Sequence, residues 1–241
     1  MSRRLKLVGA ALAALLVVAS VGFYGWTRAA RYPAFSAASA LADSARTEPG
    51  WYVFEPAGEP TAGFIFYPGG LVDPAAYAPL MQQLSDGGVL AVIVPMPLDL
   101  AVFGIDRADD VIAAYPDIGA WVIGGHSLGG AMAAEYLKAE PDAVDGIVLL
   151  ASYPADSTDL SAIPARAVSI YGTEDGVAGE VFEDSLQRLP DGTSLEVIQG
   201  GNHAQFGDYG PQKGDGTAMM SRARQQRQTT NAILALVGSI R

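Results

Sequence analysis

A serine that could act as a nucleophile stands in the run Gly-Gly-His-Ser-Leu-Gly-Gly at residues 124–130. An apolar run precedes it and a helix-forming run follows it. A Gly-x-Ser-x-Gly pattern between a strand and a helix predicts a tight turn that presents the serine hydroxyl, because glycine tolerates backbone crowding. The free amide groups at the start of the following helix can stabilise negative charge that develops near Ser127.

A nucleophilic serine needs a base to accept its proton, and the base needs an acid to orient it. The chain has two histidines. His126 lies inside the turn next to the serine, which leaves His203 as the candidate base. Asp175 ends a turn directly after a predicted strand and is the candidate acid. Glu174, its neighbour, and Asp156, which follows an earlier predicted strand, are the alternatives.

Attack on an acyl carbonyl also needs hydrogen-bond donors for the oxyanion of the transition state. One expected donor is the N–H of Leu128, the residue after the serine. The second is expected in a Pro-Gly-Gly-Leu loop after a predicted strand, where Gly70 is favoured and Leu71 is one residue away. Aromatic residues near these motifs are candidates for the substrate pocket, namely Tyr67, Tyr153 and Phe206.

Three motifs together resemble those of the α/β-hydrolase superfamily, and most closely its compact fold-5 type of serine esterases and lipases. They are the Tyr-Pro-Gly-Gly loop, the Gly-His-Ser-Leu-Gly turn and a Gly-Gly-Asn-His-Ala-Gln-Phe-Gly-Asp-Tyr-Gly segment that contains His203. The order Ser127, Asp175, His203 is the one that this superfamily uses. Where related proteins often have a His-Gly oxyanion loop, this chain has Pro68 and Gly69.

The resemblance implies a serine hydrolase that cleaves carboxylic ester or similar acyl bonds through a Ser-His-Asp triad and an acyl-enzyme. It implies no cofactor and no metal, and a small-molecule or lipid-like acyl ester as substrate. Two other functions stay open, because one fold hosts many chemistries. The chain could be a non-catalytic, membrane-tethered binding module on the same scaffold, or it could transfer the acyl group to an acceptor other than water.

Strands that alternate with helices after residue 50 predict an α/β domain over residues 50–241, with a mostly parallel central sheet and helices on both faces. Helices are expected over residues 74–84, 106–114, 179–189 and 217–240. Strands are expected over residues 51–55, 63–67, 89–94, 120–123, 146–150, 167–171 and 194–198. The stretch between residues 152 and 164 is short and leaves room for a minimal lid only.

The N-terminus is predicted to be a transmembrane signal-anchor, residues 1–27, followed by an Ala/Ser-rich linker, residues 28–49, with room for one short helix. Residues 7–26 carry no charge, and at about 1.5 Å per residue they are long enough to cross a bilayer. The flanking basic residues favour a cytoplasmic N-terminus and a catalytic domain outside the cytoplasm. A cleaved signal peptide and a secreted enzyme are the alternative, with Ala-Ser-Ala at residues 38–40 as the cleavage site.

Composition excludes several classes of function. Ten basic and 26 acidic residues remain once the five basic residues before residue 32 are set aside, which gives a formal charge of −16. Nucleic acid is therefore a poor partner. The chain has no cysteine and two histidines, so disulfides and the usual zinc sites are not expected. No Gly-x-Gly-x-x-Gly or Gly-Lys-Ser/Thr loop for nucleotide phosphates is present.

Overall fold

The computed structural model describes residues 3–45, 50–178 and 185–240, which form two compact units, Met1–Arg31 and Tyr32–Arg241. The first unit is one helix, α1 (Arg3–Ala29). Residues Leu12–Ala29 are long and apolar enough to cross a membrane, and Leu15, Leu16 and Val18 are exposed. A membrane anchor and a signal sequence both have these properties.

The second unit is built on a sheet of seven strands in the order β1-β3-β2-β4-β5-β6-β7. All neighbouring strands are parallel except β1, which is antiparallel to β3. The strands are β1 Tyr52–Phe54, β2 Ala62–Tyr67, β3 Val89–Ile93, β4 Trp121–His126, β5 Gly146–Leu150, β6 Arg166–Gly172 and β7 Ser194–Ile198. The predicted, mostly parallel α/β sheet is confirmed.

Helices cover both faces of the sheet. Since successive side chains of a strand point to opposite faces, the strands contribute to two separate buried clusters. Phe64 and Phe66 of β2 belong to one buried cluster and Ile65 to the other. The first cluster contains residues of α2 (Ser36–Ser44), α3 (Ala78–Asp86) and α6 (Arg222–Ser239). The second contains residues of α4 (Ala108–Ala114) and α5 (Leu128–Ala139).

Several helices begin elsewhere than predicted. A 3-10 turn, Pro74–Tyr77, precedes α3, because Pro79 lacks an N–H and suits the first turn of a new helix. Helix α6 begins at Arg222 instead of residue 217, since the Met219 N–H donates to the Gly200 C=O at 2.7 Å. Residues 179–184 of another predicted helix lie outside the described residues, and Leu186–Arg188 form a 3-10 turn.

Part of the segment predicted as a linker belongs to the compact second unit. Helix α2 buries Ala38 and Ala42, and β-bridges join Tyr32 to Val72 and Ala34 to Tyr209. Small alanine side chains allow a helix to pack closely, whereas composition alone does not separate such a helix from a flexible tether. Residues 32–45 therefore belong to the second unit instead of a tether, and α2 is the one short helix that the sequence allowed here. Residues 46–49 lie outside the described part.

Candidate active site

The strand order reverses its direction between β2 and β4, which are neighbours in the sheet. Loops that leave the carboxyl ends of two such strands diverge and open a crevice between them, where open α/β sheets bind ligands. The loop after β2 carries Gly69 and Gly70, and β4 ends immediately before Ser127. The topology therefore brings the predicted nucleophile and the glycine pair to one place.

Strained backbone is concentrated at this edge of the sheet. Among the described residues other than glycine, five have positive φ angles, and all five follow the carboxyl ends of β2, β3, β4 and β5. They are Leu71, Leu98, Asp99, Ser127 and Ala151. Such conformations cost about 1–3 kcal/mol each and persist where the surrounding structure enforces them, often at functional sites.

Ser127 occupies the predicted tight turn between β4 and α5, with φ 51° and ψ −122°. The turn needs its glycines, because a Cβ on Gly129 would lie 2.0 Å from the Tyr67 carbonyl oxygen. The Ser127 N–H donates to the Leu150 C=O at 2.9 Å. The Ser152 hydroxyl donates to the Ser127 C=O at 2.7 Å. Both peptide groups that flank the serine are thus fixed, which holds its side chain at the start of α5.

His203 and Asp175 form the predicted pair. The Nδ1 of His203 is 2.9 Å from Oδ2 of Asp175, and both side chains are almost completely buried. Oδ1 of Asp175 accepts the N–H groups of Val177 and Ala178 at 2.8 and 2.9 Å. Burial raises the pKa of Asp175, but these hydrogen bonds and the interaction with His203 outweigh it, so that its pKa lies below the ordinary value. The carboxylate is therefore an acceptor, and Nδ1 carries the proton.

The other ring nitrogen of His203, Nε2, is buried and has no hydrogen-bond partner in the described part of the chain. His203 and Ser127 line the same cavity of about 290 Å³. Since the proton is on Nδ1, Nε2 presents a lone pair, as a general base requires.

The alternative acids do not reach His203. Asp156 pairs with Arg188 at 3.3 Å, and its side chain is 93% exposed. Glu174 accepts the Thr173 hydroxyl at 3.1 Å on the surface. Asp175 is the predicted acid whose carboxylate contacts the histidine.

The loop after β2, here called the Gly-Gly loop (residues 68–73), is held by hydrogen bonds from most of its backbone N–H groups. The Gly69 N–H donates to the Tyr77 hydroxyl at 3.1 Å, and the Gly69 C=O accepts the Val72 N–H at 3.1 Å. The Leu71 N–H donates to the Asp99 C=O at 2.8 Å. Leu71, the alternative oxyanion donor, is therefore already engaged. The Gly70 N–H has no partner in the described part of the chain.

Gly70 lies against the start of α5. A Cβ on Gly70 would be 3.1 Å from Cδ2 of Leu128, and Leu128 is the first residue of that helix. The first N–H groups of a helix have no intrahelical acceptor. The two predicted donors, Gly70 and Leu128, are thus close to one another.

The cavity beside Ser127 has mostly small or apolar walls. They are Leu128, Ala131, Ala151, Ser152, Tyr153, Val177 and Ala178. Tyr153, predicted to line a pocket, does so. Tyr67 and Phe206 do not, because both are fully buried in the two cores. The Tyr67 hydroxyl donates to the Ile105 C=O at 2.7 Å and accepts the Ala108 N–H at 2.9 Å, so it is engaged within the second cluster.

His126 is fully buried beside the site, and its Nδ1 is 2.8 Å from the Tyr77 hydroxyl. Burial, and next the neighbouring His203, lowers its pKa well below the ordinary value. The rings of His126 and His203 are 4.4 Å apart between centroids. The Tyr77 oxygen already accepts the Gly69 N–H, so its own proton is available to His126. Tyr77 thus links the Gly-Gly loop to the residue before the serine, a link that the sequence did not indicate.

The segment around His203, here called the histidine loop (residues 200–210), is held by a second carboxylate. Asp215 accepts the N–H groups of His203 and Ala204 at 3.1 and 2.8 Å. The Asn202 N–H donates to the buried Gln225 of α6 at 3.1 Å. Sequence reasoning missed Asp215, although an aspartate between two glycines indicates a turn that can bind backbone amides.

Comparison with known proteins is consistent with this architecture. A family model described as the alpha/beta hydrolase family matches residues 63–227, more than half of the chain. The chain therefore belongs to the α/β-hydrolase family, which confirms the resemblance that its motifs carry. The matched residues include all of the candidate site residues.

Solved structures of similar fold include Est1E from Butyrivibrio proteoclasticus, with 12% identity, a TM-score of 0.59 and coverage of 78% of this chain and 94% of that one. An esterase domain from a Rhodothermus marinus protein has 11% identity, a TM-score of 0.58 and coverage of 79% and 94%. A soluble variant of monoglyceride lipase from Saccharomyces cerevisiae has 10% identity, a TM-score of 0.58 and coverage of 79% and 91%. A sequence search among curated proteins finds no match.

Proposed function

We propose that this α/β hydrolase is a serine esterase that uses Ser127, His203 and Asp175 as its catalytic triad. The observation that carries the proposal is the buried Asp175–His203 pair: His203 lines the same cavity as Ser127, and its Nε2 has no hydrogen-bond partner among the described residues. The esterases and the lipase among its structural neighbours support an ester as the substrate.

The geometry supports a two-step reaction. His203 Nε2 takes the proton of the Ser127 hydroxyl while the oxygen attacks the acyl carbon of the ester. Asp175 holds the ring by its hydrogen bond to Nδ1 and stabilises the imidazolium. The proton then passes to the leaving alcohol as the acyl-enzyme forms. Water, activated by the same nitrogen, hydrolyses the acyl-enzyme and restores the serine.

The oxyanion of each tetrahedral intermediate would be bound by the N–H groups of Gly70 and Leu128. Loss of one such donor typically costs about 2.7–4 kcal/mol of transition-state stabilisation. The Gly70 N–H is oriented before substrate arrives, since the Gly69 N–H and the Gly69 C=O are both held by hydrogen bonds, and the Gly69 C=O shares a peptide group with the Gly70 N–H.

The cavity favours a small acyl group or the first part of a longer one. Its volume is about 290 Å³, and Ala131, Ala151 and Ala178 contribute little bulk. The loop between β5 and β6, all of which is described, contains no helix or strand that could form a large lid. Esters of graded chain length would measure the acyl preference directly.

A serine-reactive fluorophosphonate probe tests the nucleophile. The full chain should be labelled, and Ser127→Ala should not be. Ser152→Ala is the matched control, because Ser152 is a second serine in the same cavity. That variant should still be labelled, but more slowly, since the Ser152 hydroxyl also holds the Ser127 C=O. No labelling of the unaltered chain would favour the binding module, whereas labelling together with acyl transfer to an added alcohol would favour an acyltransferase.

Substitution of the acid separates the candidates for that role. Asp175→Asn should lower kcat by about 10³–10⁴-fold, since the amide cannot hold the same tautomer of the base. Asp156→Asn is the control and should leave kcat unchanged, because that side chain is exposed and pairs with Arg188. The reverse result would reassign the acid.

We further propose that α1 is an uncleaved anchor with its N-terminus in the cytoplasm and the second unit (Tyr32–Arg241), here called the hydrolase unit, outside it. Cleavage after residue 40 would cut α2, whose Ala38 and Ala42 are buried in the hydrolase unit. Mass spectrometry of the mature N-terminus decides between the two states. A chain that starts near Leu41 would mean a cleaved signal peptide and a secreted enzyme.

A further inference from the structure

The first residues of the hydrolase unit bond directly to the Gly-Gly loop. The Tyr32 N–H donates to the Leu71 C=O at 2.7 Å, and the Tyr32 C=O accepts the Asp73 N–H at 2.9 Å. These two bonds form a parallel β-bridge between Tyr32 and Val72. With this bridge, every backbone N–H of the Gly-Gly loop except that of Gly70 has an acceptor among the described residues.

Two residues further on, the same segment bonds to the histidine loop. Ala34 forms an antiparallel β-bridge with Tyr209, and the Phe35 N–H donates to the Asp208 C=O at 2.8 Å. The Asp208 N–H in turn donates to the Ala76 C=O at 2.7 Å. Residues 32–35, here called the strap, thus connect two loops that are more than 100 residues apart in sequence.

We infer that the strap is a positioning element of the active site, which holds the Gly-Gly loop and the histidine loop at a fixed separation. The inference rests on the proposed function, since it takes Gly70 as an oxyanion donor and His203 as the base. A base and an oxyanion donor act on the same tetrahedral centre, so a small change in their separation lowers the rate of the chemical step.

The strap holds the Gly-Gly loop through its backbone, whereas at the histidine loop the Tyr32 ring also lies 5.9 Å from the Tyr209 ring between centroids. The Tyr32 hydroxyl accepts the Lys213 N–H at 3.5 Å. The Phe35 side chain is 45% exposed, and its ring lies 4.9 Å from the Arg222 guanidinium carbon. Tyr32 and Ala34 are only partly buried. A segment that served general stability would be expected to bury large side chains instead. Helix α2, which follows directly, packs its own buried alanines and keeps the segment attached when one backbone bond is lost.

Proline substitution removes single backbone donors from the full, detergent-solubilised chain. Phe35 has φ −65°, an angle that proline adopts without strain, so Phe35→Pro deletes the N–H bond to Asp208 together with the phenyl ring. Phe35→Ala is the matched control, because it removes the same ring and keeps the N–H. Tyr32→Pro and Tyr32→Ala form the corresponding pair at the Gly-Gly loop.

We expect each proline variant to hydrolyse a short p-nitrophenyl ester with kcat lowered about tenfold, the equivalent of roughly one net hydrogen bond in the transition state. KM should change less than twofold, and each alanine control should retain kcat within about twofold. A fluorophosphonate probe should label the proline variants more slowly than their controls, since phosphonylation uses the same base and donors.

Three results would overturn the inference. Proline variants with unaltered kcat would show that the loops keep their positions without the strap. A kcat loss shared by the alanine controls, or one matched by a large fall in the unfolding temperature, would identify the segment as a general support of the fold. An unaltered chain that neither reacts with the probe nor hydrolyses any ester would refute the proposed function, and the strap inference with it.

Discussion

His126 should make the protein less stable as the pH falls below about 6.5, the ordinary value for an exposed histidine. Its ring is fully buried, and burial followed by the proximity of His203 lowers its pKa well below that value. The unfolded chain exposes the imidazole and takes up a proton, while the folded chain does not. Because the unfolded state binds more protons, stability falls with falling pH until the lowered pKa is reached.

The size of the effect follows from proton linkage. Each pH unit between the two pKa values costs about 1.4 kcal/mol of unfolding free energy for one group. At about pH 5.5, one unit below the ordinary value, the buried His126 should therefore lower the free energy of unfolding by about 1.4 kcal/mol. For a chain of this size, that loss lowers the unfolding temperature by roughly 3–5 °C.

Urea unfolding of the full chain and of His126→Asn, measured between pH 7.5 and 5.5, isolates this contribution. Asparagine does not titrate, and its amide oxygen can take the place of Nδ1 as acceptor of the Tyr77 hydroxyl. The variant should be less stable at pH 7.5, but its stability should fall less with pH, by about 1.4 kcal/mol over the range. Parallel pH profiles for the two chains would refute the idea that burial keeps His126 neutral.

A neutral His126 also matters for the proposed reaction. Its ring centroid is 4.4 Å from that of His203, so a charge on it would oppose the imidazolium that forms when His203 takes the serine proton. The buried environment avoids this repulsion.

Three further side chains have testable consequences. Tyr77→Phe leaves the Gly69 N–H without its acceptor, and should destabilise the fold by about 1–3 kcal/mol while it lowers kcat, as urea unfolding and ester kinetics would measure; an unchanged kcat would contradict this role. Asp215→Asn weakens the acceptor of the His203 N–H, and should lower kcat more than it raises KM in steady-state kinetics; an effect confined to KM would mean that the residue serves binding. Tyr153→Ala enlarges the cavity, and should shift the preference among p-nitrophenyl esters toward longer acyl chains; an unaltered preference would place the acyl group elsewhere.

Local features of the sequence predicted much of the fold. The strands β5 and β7 have the predicted bounds, and most other strands differ from prediction by a residue or a few. Apolar runs without alternation indicate buried parallel strands, because such strands are covered on both faces. The helix bounds were predicted less well. Helix α6 begins late because residues before it bond to the histidine loop, a contact between distant segments that no local pattern records.

The candidate site likewise has features that the local sequence predicted and features that depend on tertiary contacts. The sequence by itself determined the tight turn at Ser127, the histidine available as a base and the apolar N-terminal stretch, because turn chemistry, residue type and hydrophobicity are local properties. The tertiary structure decided which carboxylate contacts His203, that Leu71 is engaged while Gly70 is not, that Tyr153 lines the cavity while Tyr67 is core, and that residues 32–35 join the hydrolase unit. Each of these depends on hydrogen bonds and packing between segments far apart in sequence, which only the folded chain brings together.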